Sequence, residues 1–181
     1  MSSNTQQVTF EPLLEQWLAQ NDWWGEFTRD HNGDLQLRTE VHINDQPYDL
    51  WLHASDRTGI LSLYIYAPFR ARTASRAEAL NLTNRLNVSI RQGRFAITNC
   101  GRIQYSHSVD FETVTPTVNS LQLIVAPGID YCAYYEEAIA AVTLMSQGAE
   151  DALRRLESSD PAANNRSGPQ PALGVPAETL H

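Results

Sequence analysis

The 181-residue chain is poor in cysteine and has no long apolar run, and each shortage excludes a class of protein. Its two cysteines, Cys100 and Cys132, lack any metal-binding spacing, so we expect reduced thiols in preference to a structural disulfide. No apolar run approaches the roughly 20 residues that a bilayer-spanning helix needs. Residues 1–8 are polar and uncharged, unlike a secretory signal peptide. These features predict a cytoplasmic protein without a membrane partner.

Positive charge is also in short supply. The chain has 13 basic and 21 acidic residues, for a net charge of −8 and a pI near 5.0. Unspecific binding to nucleic acid needs a basic patch, which this balance disfavours. Arg91 and Arg94 with Phe95 weakly resemble a nucleic-acid strand carrying a stacking aromatic, but core packing of Phe95 is favoured. We therefore expect no nucleic-acid partner.

The chain lacks the motifs of common catalytic and cofactor sites. There is no G-x-S-x-G elbow, no G-x-G-x-x-G loop and no phosphate-binding loop. Ser106 and His107 are adjacent in a predicted strand, so alternation sends their side chains to opposite faces. Cys100 lies in a predicted turn with no clear activating cation or helix start. We expect no catalytic residue and no cofactor, so an enzyme is the least favoured hypothesis.

The histidines are too dispersed to predict a metal site. If the first hairpin turns at Asp45-Gln46, His42 pairs with Asp49 and His53 pairs with Arg38. His42 and His53 then lie at opposite ends of one face, with no third element between them. Surface histidines without a metal are therefore the preferred interpretation.

Hydrophobic periodicity predicts an α+β fold with one antiparallel five-stranded sheet and flanking helices, in the order α-β-β-β-α-β-β-α(α). The predicted helices span residues 10–20, 75–87, 117–126, 129–145 and 149–157, the third of them starting at Thr115-Pro116 or at Thr117, with Pro127-Gly128 breaking or kinking the helical run near the C-terminus. The predicted strands span residues 35–43, 48–54, 60–67, 94–98 and 102–109. We expect disordered ends, residues 1–8 and 158–181, around a single domain of residues 9–157.

Local signals predict three further details. Ser75 and Glu78 have the spacing of a capping box at a helix start. Gly148 is expected to cap the long C-terminal helix. The aromatic cluster of Trp23, Trp24 and Phe27 is assigned to the core in preference to a partner-binding patch.

Trp51 and Arg38 are the candidate site residues. Both fall on the outward face of the first hairpin, and tryptophan beside arginine is typical of interface anchors. A tryptophan buried under an additional helix is an equally weighted alternative. If the face is open, these residues predict a contact for a partner protein.

Three phrases resemble the YbjN-like family. They are L-N-L-T-N-R-L-N at residues 80–87, G-R-F-A-I at residues 93–97 and G-R-I-Q-Y-S at residues 101–106. The resemblance covers roughly residues 8–157. It implies a fold similar to that of type III secretion chaperones, often dimeric, in bacterial regulators of sensory transduction. No catalytic residue comes with the family, and Pro127-Gly128 and the tail depart from its pattern.

Together these observations predict a non-enzymatic adaptor or chaperone-like regulator that binds a protein client, as a homodimer. The alternative is a small-molecule sensor that holds its ligand between sheet and helices.

Overall fold

A computed structural model describes residues 9–159, which form an α+β fold with one antiparallel sheet. The predicted N-terminal disorder, and all of the predicted tail beyond Ser159, lie outside the described residues. The sheet has six strands in the order β1-β2-β3-β4-β6-β5. The strands are β1 Glu26–Arg29, β2 Leu35–Ile43, β3 Gln46–Ser55, β4 Ile60–Arg70, β5 Arg94–Ile97 and β6 Arg102–Asp110.

The predicted count of five strands was wrong because β1 carries little sequence signal. It is four residues long, and only Phe27 is withdrawn from solvent. It pairs with residues 35–38 of β2 as an edge strand, where no alternating apolar pattern is required. The other five strands were confirmed in place and order.

Four helices accompany the sheet: α1 Glu11–Gln20, α2 Arg76–Ser89, α3 Val118–Met145 and α4 Ala149–Ser159. Their buried side chains form one cluster with the inward residues of the strands. Helix α3 packs on β4, β6 and β2, and α1, α2 and α4 pack against α3 in turn. The described helices therefore cover one face of the sheet and leave the other face open.

Helix α3 runs through Pro127-Gly128 without a break, so the prediction of two separate helices, 117–126 and 129–145, was wrong. Pro127 cannot donate to the carbonyl of Leu123, but Leu123 is exposed, so water can hydrogen-bond to that carbonyl. Gly128 is buried, and a Cβ there would lie 2.7 Å from Tyr105 Cε1 and 3.0 Å from Ile65 Cδ1. The glycine thus allows α3 to approach the sheet closely.

The helix ends are capped by other residues than the sequence suggests. Ser75 makes no capping bond, and Glu78 Oε2 accepts from the amide of Ala149 at 2.8 Å, so it caps α4. The capping box of the structure is Thr117 with Ser120, at the start of α3. Ser146, at φ 54°, ends α3 in place of Gly148. Helix geometry alone could not reveal that Glu78 faces another helix.

The first hairpin turns at Asn44-Asp45, where both residues have positive φ. Asn and Asp tolerate this conformation in two-residue hairpin loops. His42 therefore lies opposite Pro47, and Arg38 lies opposite Trp51. The predicted register was wrong by two residues along β3. An even shift preserves the faces, so Trp51 and Arg38 stay on the outward side.

The predicted aromatic plug is only partly confirmed. Trp23 and Phe27 pack against the core, and the Trp23 ring meets Trp17 edge-on at 5.1 Å. Trp24 is 83% exposed and does not join the core. The chain turns at Asp22, which has positive φ, so successive tryptophans point to different environments.

Asn87 closes the outer edge of β5. Its Nδ2 donates to the Phe95 carbonyl at 2.9 Å, and its Oδ1 accepts from the Phe95 amide at 2.6 Å. One side chain on α2 thus pairs both backbone groups of a strand residue, as a neighbouring strand would.

We expect Asn87→Ala to lower the free energy of unfolding by about 1–2 kcal/mol relative to Asn84→Ala. Asn84 is exposed on the same helix, so both substitutions raise helix propensity equally. Only the first leaves the backbone groups of Phe95 unpaired. Urea unfolding of both variants measures the difference, and equal stabilities would contradict this role of Asn87.

Gly128→Ala should destabilise the protein by about 1–2 kcal/mol, although alanine favours helix, because the added Cβ overpacks the Tyr105 ring. Gly148→Ala is the control, since the nearest atom to its Cβ would lie 3.8 Å away. Thermal unfolding of both variants tests this. A Gly128→Ala variant as stable as the wild type would show that α3 has room to move.

Candidate partner-binding face

The open face of the sheet consists of the strand side chains that point away from the helices. Strand register aligns one residue from each of five neighbouring strands across this face. We call them the arginine–aromatic row: Arg38, Trp51, Tyr64, Ser106 and Arg94. Arginines stand at both ends, and two aromatic rings and a serine lie between them.

Trp51 occupies the open face and is not covered by a described helix. It is half-buried by its neighbours, because Tyr66 meets its ring edge-on at 6.3 Å and Tyr64 stacks on Tyr66 at 6.5 Å. The guanidinium carbon of Arg38 lies 5.4 Å from the Trp51 ring centroid. The structure therefore brings the two predicted site residues into a cation–π contact.

Asp49 and Arg102 fix the position of these aromatic rings. Arg102 Nη1 binds Asp49 Oδ2 at 2.5 Å, and Arg38 Nη2 lies 3.4 Å from Asp49 Oδ1. Arg102 also donates to the carbonyls of Ala67 and Tyr66, at 2.8 and 3.0 Å, and its guanidinium stands 5.3 Å from the Tyr66 ring centroid. One arginine therefore ties together β3, β4 and β6.

Sequence reasoning missed Arg102 because it lies on the polar side of its strand. The register between β4 and β6 slips between Tyr66 and Arg70, which leaves two β4 carbonyls available to its side chain. Pro68, inside β4, was the available signal, since proline within a sheet marks a bulge or an edge.

The Asp49 carboxylate is held in its ionised form. Burial opposes ionisation, but the hydrogen bond and charge of Arg102, followed by those of Arg38, lower the pKa of Asp49 below its usual value. A carboxylate with a lowered pKa stabilises the fold above its unfolded pKa, about 3.9. That stabilisation is lost as the pH falls through the folded value.

Asp49→Asn should therefore unfold more easily than the wild type at pH 7, and the difference between the two should shrink below about pH 4. Urea unfolding at pH 7 and near pH 3 measures both quantities. Glu112→Gln is the control, since Glu112 is exposed. A difference that stays constant over this range would contradict the role of the Arg102–Asp49 pair.

A group of three potential metal ligands lies at one end of the sheet. Asp30, Asp34 and His53 place one ligand atom each within 4.8 Å of one another. Asp30 Oδ1 accepts from the amides of Asn32 and Asp34, at 2.8 and 3.0 Å, and Asp30 Oδ2 lies 3.5 Å from His53 Nε2. Burial opposes ionisation, but these amides and the histidines keep the pKa of Asp30 lowered.

The hydrogen bonds of Asp30 close the turn between β1 and β2, and this structural role explains why the three side chains lie together. The sequence pattern revealed no third element near His53, because β1 carries little sequence signal and the turn after β1 supplies Asp30 and Asp34.

The remaining reactive side chains do not converge. Ser106 lies on the open face opposite Tyr64, and His107 points to the helices, where burial lowers its pKa. Both cysteines are free thiols. Cys100 is exposed, and a hydrogen bond from Thr98 lowers its pKa, whereas burial raises the pKa of Cys132.

Large side chains line the layer between sheet and helices. Tyr48, Leu50, Leu63, Ile65 and Tyr105 are fully buried there. A surface depression of about 370 Å³ lies elsewhere, at the β2 edge. It is lined by Asp22, Trp23, Trp24, Thr39, Glu40, Val41, His42 and Ile129. The alternative hypothesis, a small-molecule sensor, would place its ligand in the layer between sheet and helices and not in this depression.

The fold and the open face define an α+β module built to present one side of a sheet. Among residues 9–159, no helix combines the length and apolarity required to cross a membrane. The model of the YbjN family, described as "putative bacterial sensory transduction regulator", matches residues 13–141. The chain belongs to the YbjN family.

Solved structures also match the chain. One of them is the crystal structure of YbjN, described as "a putative transcription regulator from E. coli", with 13% sequence identity and a TM-score of 0.49. The alignment covers 68% of this chain and 88% of that one. No curated protein matches the chain by sequence.

Proposed function

We propose that this protein is a non-enzymatic regulator that binds a partner protein through the open face of its sheet, around Trp51 and Arg38. The observation that carries the proposal is the tryptophan with its paired arginine on a sheet face that no described helix covers. The family description as a regulator supports the class of role.

The open face leaves aromatic rings in contact with water, which is less favourable than burying them. Trp51, Tyr64 and Tyr66 each keep part of their surface in water, although the same strands fully bury Tyr48, Leu50, Leu52, Leu61, Leu63 and Ile65 on their inner face. Aromatic residues and arginine are the types enriched in protein interfaces. A partner that covers these rings gains hydrophobic contact area while Arg38 provides a polar anchor.

The proposal includes a cytoplasmic location and a homodimer. The likeness to type III secretion chaperones rests on the family resemblance alone, and within this proposal it suggests that the client segment is extended. A sheet face suits an extended client, because its side chains stand in regular rows.

We expect Trp51→Ala to abolish capture of a specific protein from a lysate of the source bacterium, and Trp24→Ala to leave that capture intact. Both substitutions remove a partly or largely exposed tryptophan, but Trp24 lies off the open face, at the β2 edge. Affinity capture with quantitative mass spectrometry compares the two variants with the wild type. Equal recovery with Trp51→Ala would reject the open face as the binding surface.

A further inference from the structure

Positive charge is concentrated in one part of this acidic chain. Residues 68–108 contain seven arginines and a single acidic residue, Glu78, for a formal charge of +6 in a chain whose total is −8. The chain has no lysine, so all 13 of its basic residues are arginine. Glu78 is engaged with the first amide of α4, so it does not neutralise this region at the sheet.

The arginine-rich region reaches the open face. Arg94 is exposed on β5 and points outward, because the adjacent Phe95 packs inward against Tyr105 and Tyr135. The backbone of Arg94 pairs with Ser106 on β6, and within residues 9–159 its guanidinium group has no ion-pair or hydrogen-bond partner. At the other end of the row, Arg38 contacts Asp49 only at 3.4 Å, and Arg102 holds that carboxylate more closely. Glu26 on β1 is the register partner of Arg38, but the two form no ion pair among the residues that the structure describes. Both ends of the row therefore offer guanidinium groups to a ligand.

The separation of the two ends matches an extended peptide. Four strand-to-strand steps separate Arg38 from Arg94. At about 4.8 Å a step, the row is about 19 Å long. An extended chain rises about 3.3 Å per residue, so about six residue-to-residue steps, a segment of about seven residues, cover this length. Because six steps is an even number, the first and last side chains of such a segment point to the same side.

We infer that the partner's segment is an extended acidic strand that crosses the arginine–aromatic row, with two carboxylates six residues apart on Arg38 and Arg94. Apolar side chains between the carboxylates lie over Trp51 and Tyr64. Guanidinium groups bind carboxylates through paired hydrogen bonds, which lysine cannot make. The inference rests on the proposed function, since it names the chemistry of the partner at the same face.

The test uses a fluorescein-labelled peptide of sequence Ser-Glu-Thr-Leu-Thr-Val-Thr-Glu-Ser and fluorescence polarisation with the full-length chain. We expect binding that Arg38→Gln and Arg94→Gln each weaken about fivefold. Arg57→Gln is the charge-matched control, since Arg57 is exposed in the turn between β3 and β4, and it should leave the affinity unchanged. Circular dichroism establishes that each variant is folded.

Five outcomes would overturn the inference, four of them in the peptide-binding experiment. They are failure of the peptide to bind, equal affinity for a peptide with glutamine in place of both glutamates, an equal effect of Arg57→Gln, and tighter binding of a nine-nucleotide oligouridine, which would indicate a nucleic acid. A wild-type dimer that Arg94→Gln dissociates, observed by light scattering, would assign the row to a second copy and also overturn it.

Failure of this inference is distinct from failure of the proposed function. If Trp51→Ala abolishes protein capture but Arg94→Gln does not, the face binds a partner and the acidic segment is wrong. If neither substitution affects capture, the proposed function itself is rejected.

Discussion

The buried ring of Tyr105 is the contact on which the rest of the fold depends. Two glycines lie against it: a Cβ on Gly128 would come within 2.7 Å of the ring, and a Cβ on Gly93 within 2.3 Å of its hydroxyl oxygen. That hydroxyl donates to the Gln92 carbonyl at 3.1 Å. One side chain on β6 thus sets how closely α3 approaches the sheet and where the chain passes from α2 to β5. The helices are fixed to a single face as a result.

The packing of the helices on the inner face of the sheet also holds side chains of the open face in position. The residues next to Tyr105, Gln104 and Ser106, belong to the open face, so the strand that anchors the core also carries part of the row. Arg102, on the same strand, joins β3 and β4 through Asp49 and the bulge carbonyls. Side chains held by packing and hydrogen bonds lose little freedom when a partner arrives, which favours affinity. The open face is therefore preorganised by the core beneath it.

The sequence predicts those features that depend on local periodicity. Alternation in β2 and β3 placed Trp51 and Arg38 on one outward face, and the even error in register did no harm to that assignment. What the sequence could not predict depends on distant contacts. β1 exists because β2 offers an edge, Glu78 caps a helix 71 residues away, and Arg102 finds carbonyls exposed by a bulge in another strand. Arg94 was noticed only as part of a weak nucleic-acid pattern, because its alignment with Arg38 needs the order of all the strands between them.

The two outer strands of the sheet hinder strand addition, which favours binding of a partner to the open face. Exposed strand edges invite pairing with other chains, and proteins limit this with short, charged outer strands. Both outer strands here have four residues, and β1 carries Glu26 and Arg29 while β5 carries Arg94. Asn87 further occupies the backbone groups of Phe95 at the β5 edge. Strand addition is thus hindered at the two outer strands, whereas the open face keeps its rings and guanidinium groups accessible. A surface that discourages self-pairing at its edges and displays aromatic and arginine side chains across its centre favours binding by side-chain recognition over sheet extension.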